Sequence, residues 1–286
     1  MSKIKYFLQF IVIIFLFIIF KFLGVKYSSI LSGKILNLIG PIFRSRDIVD
    51  KNLSIAFPEI NSLQKKIIRK KMWINYGKIF AEYVFIKQFR NSKLSKNIII
   101  ENPEELQKIK NDNKPVIFVS GHFSNFELMA MQIEKFGINL TAIYRPLNNI
   151  FLNPLMEKIR KKYICKKQIK KGISGTKELL KNFKNGSSIA LMIDQRVSEG
   201  IEINFFNKKA LTTTIPAQFV KKYEAKIVPV YIQREINNNF KMRIYESLIF
   251  SKNETLESIT KHLNKTLENM ILKNPEQWIW THNRWK

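Results

Sequence analysis

The sequence predicts an α/β protein with a mixed, mostly parallel central sheet flanked by helices and an N-terminal hydrophobic helix. Three observations lead to this prediction. The segment from Tyr6 to Phe20 is almost purely apolar, and residues 26–90 carry apolar side chains at helical spacing. Residues 97–286 alternate short apolar runs with helical segments. Strands interleaved with helices are typical of α/β domains with a mostly parallel sheet.

The composition supports a folded chain with no disulfide framework. Of the 286 residues, 45% are hydrophobic and 25% are charged, so a packed core is expected and wholesale disorder is excluded. Cys165 is the only cysteine, which excludes an internal disulfide and suits a reducing compartment. One cysteine and three histidines cannot supply a zinc-ligand spacing, and we predict no metal site. A magnesium site made of carboxylates alone is left open.

The N-terminal apolar run favours a membrane anchor over two alternatives. The run extends from Tyr6 to Phe20, is interrupted only by Gln9 and is followed by Lys21. A spanning helix needs about 20 apolar residues, so the run is marginal unless the lysine snorkels. A cleaved signal peptide needs a small-residue cleavage site, which does not follow here. A buried core helix is disfavoured because this segment is apolar on every face.

We therefore predict a membrane anchor over residues 1–25 and a catalytic domain over residues 26–286. Within that domain, residues 26–90 are predicted to be helical and residues 97–286 to form the α/β part. More basic residues follow the apolar run than precede it. This distribution favours a cytoplasmic catalytic domain, although a helix lying in the membrane interface fits the pattern equally well.

The net charge of +27 points to anionic partners. Such a charge attracts nucleic acid, phosphorylated or acidic lipid headgroups, or an acidic carrier protein. A coding bias toward Lys, Ile and Asn is a second explanation for part of this charge. The basic residues are spread along the chain, with no arginine-rich arm, zinc finger or RNA-binding aromatic signature. A membrane-tethered nucleic-acid-binding protein is therefore kept only as the non-enzymatic alternative.

Six apolar runs predict strands, and five helical patterns lie between or after them. The predicted strands are Pro115–Ser120, Asn139–Tyr144, Ser188–Ile193, Ile201–Phe205, Lys226–Gln233 and Phe240–Tyr245. The predicted helices are Asn125–Phe136, Asn149–Lys162, Ser174–Phe183, Thr214–Tyr223 and Thr255–Leu272. In open α/β sheets, ligands bind beyond the carboxyl ends of the strands. The polar residues that follow each predicted strand are therefore the candidates for chemistry.

One histidine and one carboxylate flank the turn after the first of these strands. His122 lies in the predicted loop and Glu127 in the first turn of the next helix. From there a carboxylate can reach the imidazole, fix its tautomer and leave the other nitrogen free to accept a proton. This pair is part of a nucleophilic triad without an obvious serine or cysteine, so the substrate's own hydroxyl is a candidate nucleophile. A structural histidine beside an N-capping Asn125 is the alternative.

Two further charged loops follow predicted strands on the same edge. Arg145 follows the strand ending at Tyr144, and Asp194 and Arg196 follow the strand ending at Ile193. An arginine in such a loop can hold a phosphate or a developing oxyanion. Asp194 is expected either to position an arginine or to act as an ordinary capping carboxylate.

Several segments together resemble one family. Gly121-His122-Phe123-Ser124-Asn125-Phe126-Glu127 resembles the His-x4-Glu motif of the bacterial lipid A biosynthesis late acyltransferases, which include lauroyl and myristoyl transferases. Further matching segments occur in the family's order: Asn52–Glu59, Tyr144–Asn149, Asp194–Arg196, Glu202–Phe206, Thr212–Ala217 and Pro275–Trp285. The resemblance extends over about the whole chain and implies a glycerolipid-acyltransferase-like fold.

The resemblance implies an O-acyltransferase in the cell inner membrane with its catalytic domain on the cytoplasmic face. His122 would act as the general base and Glu127 would orient it. The expected donor is an acyl-acyl carrier protein, whose phosphopantetheine carries the acyl chain, and no other cofactor is expected. The expected acceptor is a hydroxyl of a phosphorylated lipid A precursor at the membrane, with no nucleic acid involved. An acyltransferase acting on another glycolipid or a glycerophosphate is the enzymatic alternative.

Four residues are assigned to substrate binding. Arg145 would stabilise the oxyanion or bind a phosphate, and Asp194 would hold either Arg145 or Arg196 in place. Asn125, which lies inside the His-x4-Glu segment, is the fourth residue assigned to substrate binding.

Overall fold

The computed structural model describes residues 2–286. Its first five helices are α1 (Ser2–Phe43), α2 (Arg46–Ala56), α3 (Ser62–Glu82), α4 (Ile86–Asn91) and α5 (Pro103–Asp112). The others are α6 (Glu127–Lys135), α7 (Leu152–Tyr163), α8 (Ile173–Lys184), α9 (Ile215–Tyr223) and α10 (Leu256–Lys273). The predicted helical region and the five predicted later helices all form, with ends shifted by at most three residues.

The strands form one seven-stranded sheet and one separate hairpin. They are β1 (Ile98–Glu101), β2 (Ile117–Ser120), β3 (Leu140–Tyr144), β4 (Lys167–Lys170), β5 (Ser188–Met192), β6 (Ile201–Phe205), β7 (Lys208–Thr212), β8 (Ile227–Arg234) and β9 (Phe240–Ile244). The sheet order is β1-β9-β8-β2-β5-β3-β4. The β8–β9 pair is antiparallel and the other pairs in this sheet are parallel. The predicted mixed, mostly parallel sheet flanked by helices is therefore confirmed.

The sequence analysis does not predict three of the strands. Two of them, β1 and β4, are four-residue strands at the two edges of the sheet. Edge strands are half covered and short, so they lack the long apolar run that marks a buried strand. The third is β7, which pairs only with β6 in the antiparallel hairpin. The predicted strand β6 therefore forms, but outside the main sheet.

Helix α1 is interrupted at one glycine. Gly24 has non-helical backbone angles, φ 72° and ψ 166°, a region that glycine enters without steric cost. The helix from Lys3 to Ile42 is long and apolar enough to cross a membrane. The part before the kink rises about 30 Å, close to the thickness of a bilayer core. One face of this part contacts the body through Phe7 and Phe17, whereas Leu8 and Phe15 are exposed.

The second half of α1 packs very closely against α3. A Cβ atom placed on Gly77 of α3 would lie 2.2 Å from the carbonyl oxygen of Ser32 and 2.7 Å from Cα of Gly33. One placed on Gly40 of α1 would lie 2.3 Å from the ring of Trp73. Glycine at these positions lets the two helix backbones approach each other, which fixes α3 relative to α1.

We predict that Gly77→Ala destabilises the protein by about 1–3 kcal/mol, because the added methyl group separates α1 from α3 or strains them. Thermal and denaturant unfolding in detergent measures the change. Lys70→Ala, at an exposed position of the same helix, is the control and should leave stability almost unchanged. Equal stability of the Gly77→Ala and Lys70→Ala proteins would contradict the close packing of the two helices.

Candidate active site

The register of two neighbouring strands brings His122 and Asp194 together. In the parallel β2–β5 pair, Ser120 is opposite Met192, and the backbone N–H of Ile193 donates to Ser120 O at 2.9 Å. His122 and Asp194 each lie two residues beyond the end of their strand. His122 and Asp194 therefore leave the carboxyl edge of the sheet at the same height, where α/β folds bind their ligands.

Asp194 makes two hydrogen bonds to His122. The imidazole Nδ1 lies 2.8 Å from Asp194 Oδ1, and the backbone N–H of His122 donates to Asp194 Oδ2 at 2.7 Å. Trp278 Nε1 also donates to Oδ2, at 2.9 Å. The Asp194 side chain is fully buried, whereas that of His122 is 20% exposed. The carboxylate is therefore held inside the protein, and the ring can still be reached from outside.

Electrostatics strengthen the pair. Burial alone lowers the pKa of His122, but the negative charge of Asp194 and its hydrogen bond outweigh burial and raise the pKa above its ordinary value. Burial alone raises the pKa of Asp194, and the contacts with His122 outweigh it, so the pKa of this carboxyl is lowered. An ionised Asp194 accepts from Nδ1–H, which fixes the tautomer in which Nε2 carries the free lone pair. The arrangement is that of a base held by a buried carboxylate.

The expected hydrogen bond between Glu127 and His122 is not present among the described residues, and a catalytic role of Glu127 stays a prediction. Glu127 begins α6, as expected, but its Oε1 accepts from Arg160 Nε at 2.9 Å and from the hydroxyl of Tyr83. Arg160 Nη2 lies 2.7 Å from the same oxygen. The first turn of α6 directs this carboxylate toward α3 and α7, so Glu127 acts on His122 only as a more distant charge that raises its pKa.

Asn125 is buried in the His122 loop. Its side chain is buried, with 1% exposure of the residue, and its Nδ2 donates to Glu82 Oε2 at 2.8 Å. The amide thus joins the loop to the end of α3, and substrate binding by Asn125 stays a prediction. The loop itself bends at Ser124, whose φ is +43°, and the Ser124 N–H donates to the carbonyl of Gln277 at 2.8 Å.

Arg145 and Arg196 lie at the predicted sheet edge, but Asp194 does not hold them. The oxygens of Asp194 are occupied by His122 and Trp278, so the predicted contact between Asp194 and an arginine is wrong. Arg145 is exposed after β3, and Arg196 is half-buried after β5. The Nε of Arg196 is buried without a hydrogen-bond partner among residues 2–286. Substrate binding by the two arginines stays a prediction.

Sequence reasoning missed four residues around the site. Tyr83 and Arg160 bind Glu127, and Trp278 binds Asp194. His282 is half-buried, and burial lowers its pKa to about 4, so this second imidazole is neutral. Trp278 and His282 belong to the C-terminal segment that carries part of the resemblance, whereas no motif in the sequence marks Tyr83 or Arg160.

Comparisons with known proteins agree on one class. The family model described as "Bacterial lipid A biosynthesis acyltransferase" matches residues 1–286. A Shigella flexneri protein named lipid A biosynthesis acyltransferase 2 is 23% identical over 237 residues, which are 80% of this chain and 74% of that one. The Escherichia coli lipid A biosynthesis lauroyltransferase is 23% identical over 250 residues, covering 85% of this chain and 79% of that one.

The Escherichia coli lipid A biosynthesis myristoyltransferase is 20% identical over 256 residues, covering 87% of this chain and 76% of that one. Together with the α/β fold and the site, these relatives define the protein as an O-acyltransferase. More particularly, the chain belongs to the bacterial lipid A biosynthesis acyltransferase family. The predicted resemblance and reaction class are thereby confirmed.

We predict that Asp194→Asn lowers the pKa of His122 below its ordinary value. The negative charge that raises the pKa is removed, and burial, which disfavours the charged ring, remains. NMR titration of the ring nitrogens measures this pKa, and a His122→Gln sample identifies the signal among three histidines. Wild-type protein should titrate above the ordinary value. An unchanged titration in Asp194→Asn would contradict the coupling.

Proposed function

We propose that the protein transfers a fatty acyl chain from an acyl-acyl carrier protein to a hydroxyl of a phosphorylated lipid A precursor, with His122 as general base and Asp194 as its orienting carboxylate. The observation that carries the proposal is the 2.8 Å contact between His122 Nδ1 and Asp194 Oδ1 on a ring that solvent still reaches. The family supports secondary acylation in lipid A biosynthesis, and therefore a lipid A precursor as the acceptor.

The proposed reaction has two proton transfers. Nε2 of His122 removes the proton of the acceptor hydroxyl as its oxygen attacks the thioester carbonyl. The resulting tetrahedral intermediate collapses, the C–S bond breaks, and the imidazolium returns the proton to the leaving thiolate. The products are a new ester and a free carrier thiol, so the reaction needs no cofactor beyond the phosphopantetheine of the carrier. A positioned base of this kind contributes roughly 10²–10⁴-fold in rate.

Arg160 is the proposed donor to the developing oxyanion. Its side chain is only 13% exposed and is held by Glu127 and Tyr83. Its Nη1 is buried without a partner among the described residues, and its charge acts on the pKa of His122. A fixed, poorly hydrated guanidinium stabilises negative charge better than a solvated one. In this scheme Glu127 serves the reaction by aligning Arg160.

An apolar cavity of about 250 Å³ is the proposed place for part of an acyl chain. It lies between α1, α7 and the segment 83–87, and one wall is Tyr83, which also binds Glu127. The cavity therefore adjoins the cluster that contains the proposed oxyanion donor. Its other lining residues are Ile14, Phe17, Ile18, Lys21, Val84, Ile86, Lys87, Ile159 and Tyr163.

The charge and the apolar helix support a membrane-bound enzyme that acts on anionic lipids. A net charge of +27 favours an acidic carrier protein and a phosphorylated acceptor, both of which this reaction uses. The exposed apolar face of α1 favours seating in the inner membrane with the catalytic domain on the cytoplasmic face. Nucleic-acid binding makes no use of the His122–Asp194 pair.

We predict that His122→Ala abolishes acyl transfer, while Asp194→Asn lowers kcat by roughly 10²–10⁴-fold because the ring loses its tautomer and orientation. The assay follows acyl transfer from acyl-acyl carrier protein to a lipid A precursor by mass spectrometry. A glycerophosphate acceptor offered in parallel tests the enzymatic alternative.

Far-UV circular dichroism and membrane fractionation of both variants are the controls for folding. His262→Ala, at a solvent-exposed position of α10, is the matched histidine control and should retain wild-type turnover. Wild-type turnover in a folded His122→Ala protein would remove His122 from the mechanism. Transfer to the glycerophosphate alone would replace the proposed acceptor.

We predict that deleting residues 1–24 weakens membrane recovery and also lowers turnover, because Ile14, Phe17 and Ile18 line the proposed acyl cavity. Flotation of the full-length and shortened proteins with vesicles measures recovery, and turnover with detergent-solubilised substrates measures the chemistry. Full recovery of the shortened protein with the vesicles would contradict an anchoring role for this segment.

A further inference from the structure

Beneath the His122 loop lies a buried acidic residue that does not touch the imidazole. Glu82, the last residue of α3, is 0% exposed. Its Oε2 accepts from Asn125 Nδ2 at 2.8 Å and from Arg234 Nη2 at 3.0 Å. Its Oε1 accepts from Arg234 Nη1 and, at 3.2 Å, from Asn238 Nδ2. All these donors lie on other elements of the fold.

The Glu82 carboxylate is connected to the His122 loop along two routes. It binds Asn125 directly, three residues after His122. It also binds Arg234, whose backbone N–H and carbonyl are clamped by the side chain of Gln277 at 2.6 Å and 3.0 Å. The Gln277 carbonyl in turn accepts from the N–H of Ser124, a non-glycine residue with φ +43°. A loop bent this way persists only where its surroundings hold it.

The same carboxylate reaches the hydrophobic N-terminal helix. Asn238, in the turn between β8 and β9, donates from Nδ2 to both Glu82 Oε1 and Ser29 Oγ, the latter at 2.8 Å. Ser29 lies on α1 after the Gly24 kink and is 1% exposed. A continuous set of hydrogen bonds, Ser29–Asn238–Glu82–Asn125, thus runs from α1 to the loop of the proposed base.

We propose that Glu82 is a positioning residue of the transfer reaction, which fixes the His122 loop through Asn125 and ties that loop to α1 through Asn238. This inference rests on the proposed function. Glu82 does not contact His122, and it acts by holding the amide that follows the base. The geometry of the base therefore depends on how α1 is seated against the body.

A purely structural role makes a different prediction. Removing one partner of a buried charged pair destabilises a protein, whether or not the pair lies near a site. A role in stability alone lowers the melting temperature and the amount of folded protein, but the folded molecules keep their kcat. A positioning role lowers kcat of the folded protein at unchanged KM, because a small displacement of a base slows the reaction without weakening binding.

An exchange of the amide and the carboxylate separates the two roles. Asn125→Asp places a second carboxylate against Glu82 and should lower kcat by roughly 10- to 100-fold. Combining it with Glu82→Gln again pairs one amide with one carboxylate, although the carboxylate now lies at position 125 and Arg234 faces an amide. The double variant should regain at least threefold of the kcat lost in Asn125→Asp. Melting temperature, KM for both substrates and kcat per folded protein are measured for each variant.

A second pair of variants tests the connection to α1. Asn237 and Asn238 are adjacent and share the left-handed backbone conformation, with φ of +57° and +58°. Asn238→Gly removes the amide that joins Ser29 to Glu82 without straining the turn, and it should lower kcat about threefold or more. Asn237→Gly makes the same change at an exposed side chain and is the matched control, expected to leave kcat unchanged.

The outcomes separate this inference from the proposed function. Recovery in the exchanged double variant, with a loss in Asn238→Gly and none in Asn237→Gly, supports it. Folded Asn125→Asp protein with wild-type kcat overturns it, as does a double variant no better than Asn125→Asp alone. If Asn125→Asp fails to fold, Asn238→Gly decides, and wild-type kcat there overturns it. If wild-type protein transfers no acyl group, the proposed function fails first.

Discussion

The contact between His122 and Asp194 depends on the register of β2 against β5. Because Ser120 is paired with Met192, the two side chains leave the sheet at the same height and meet at 2.8 Å. A shift of one residue would point one of them to the opposite face. The buried carboxylate is further fixed by Trp278, so the C-terminal segment also holds the base in place. The register of the sheet and the C-terminal segment together therefore fix the position of Asp194 against His122.

Two carboxylates lie near the imidazole, and the fold gives them different tasks. Asp194 is buried and bound to the ring, so it sets the tautomer and raises the pKa. Glu127 forms an ion pair with Arg160 and a hydrogen bond with Tyr83, so Arg160 compensates its negative charge. In the proposed reaction, the imidazole bound to Asp194 removes the proton of the hydroxyl, and the guanidinium bound to Glu127 stabilises the oxyanion.

The sequence predicts the helices and strands well, but it predicts poorly which of them lie side by side in the fold. Apolar periodicity identifies the buried strands and the long helices because each has a full face to cover, whereas the edge strands β1 and β4 do not. Asp194 is recognised as a residue at a strand end, but its pairing with His122 requires β2 to lie beside β5 rather than beside β3, and no local pattern encodes that order. Glu127 is predicted as the orienting partner because it is close to His122 in sequence and because the His-x4-Glu segment resembles the family motif. Arg160 and Tyr83 reach the site from helix packing, which leaves no motif.

The close packing of α1 on α3 gives the apolar helix a role beyond attachment. Gly77 and Gly33 bring the two backbones together, so α3 cannot shift without α1. The last residue of α3 and the residue that follows it then lie at the site: Glu82 binds Asn125 in the His122 loop, and Tyr83 binds Glu127. Because rigid packing transmits displacement, we infer that a displacement of α1 also displaces the His122 loop and Arg160. An enzyme whose acceptor hydroxyl arrives from a membrane benefits from such a connection, since the same helix then sets both the depth of the protein and the geometry of its site.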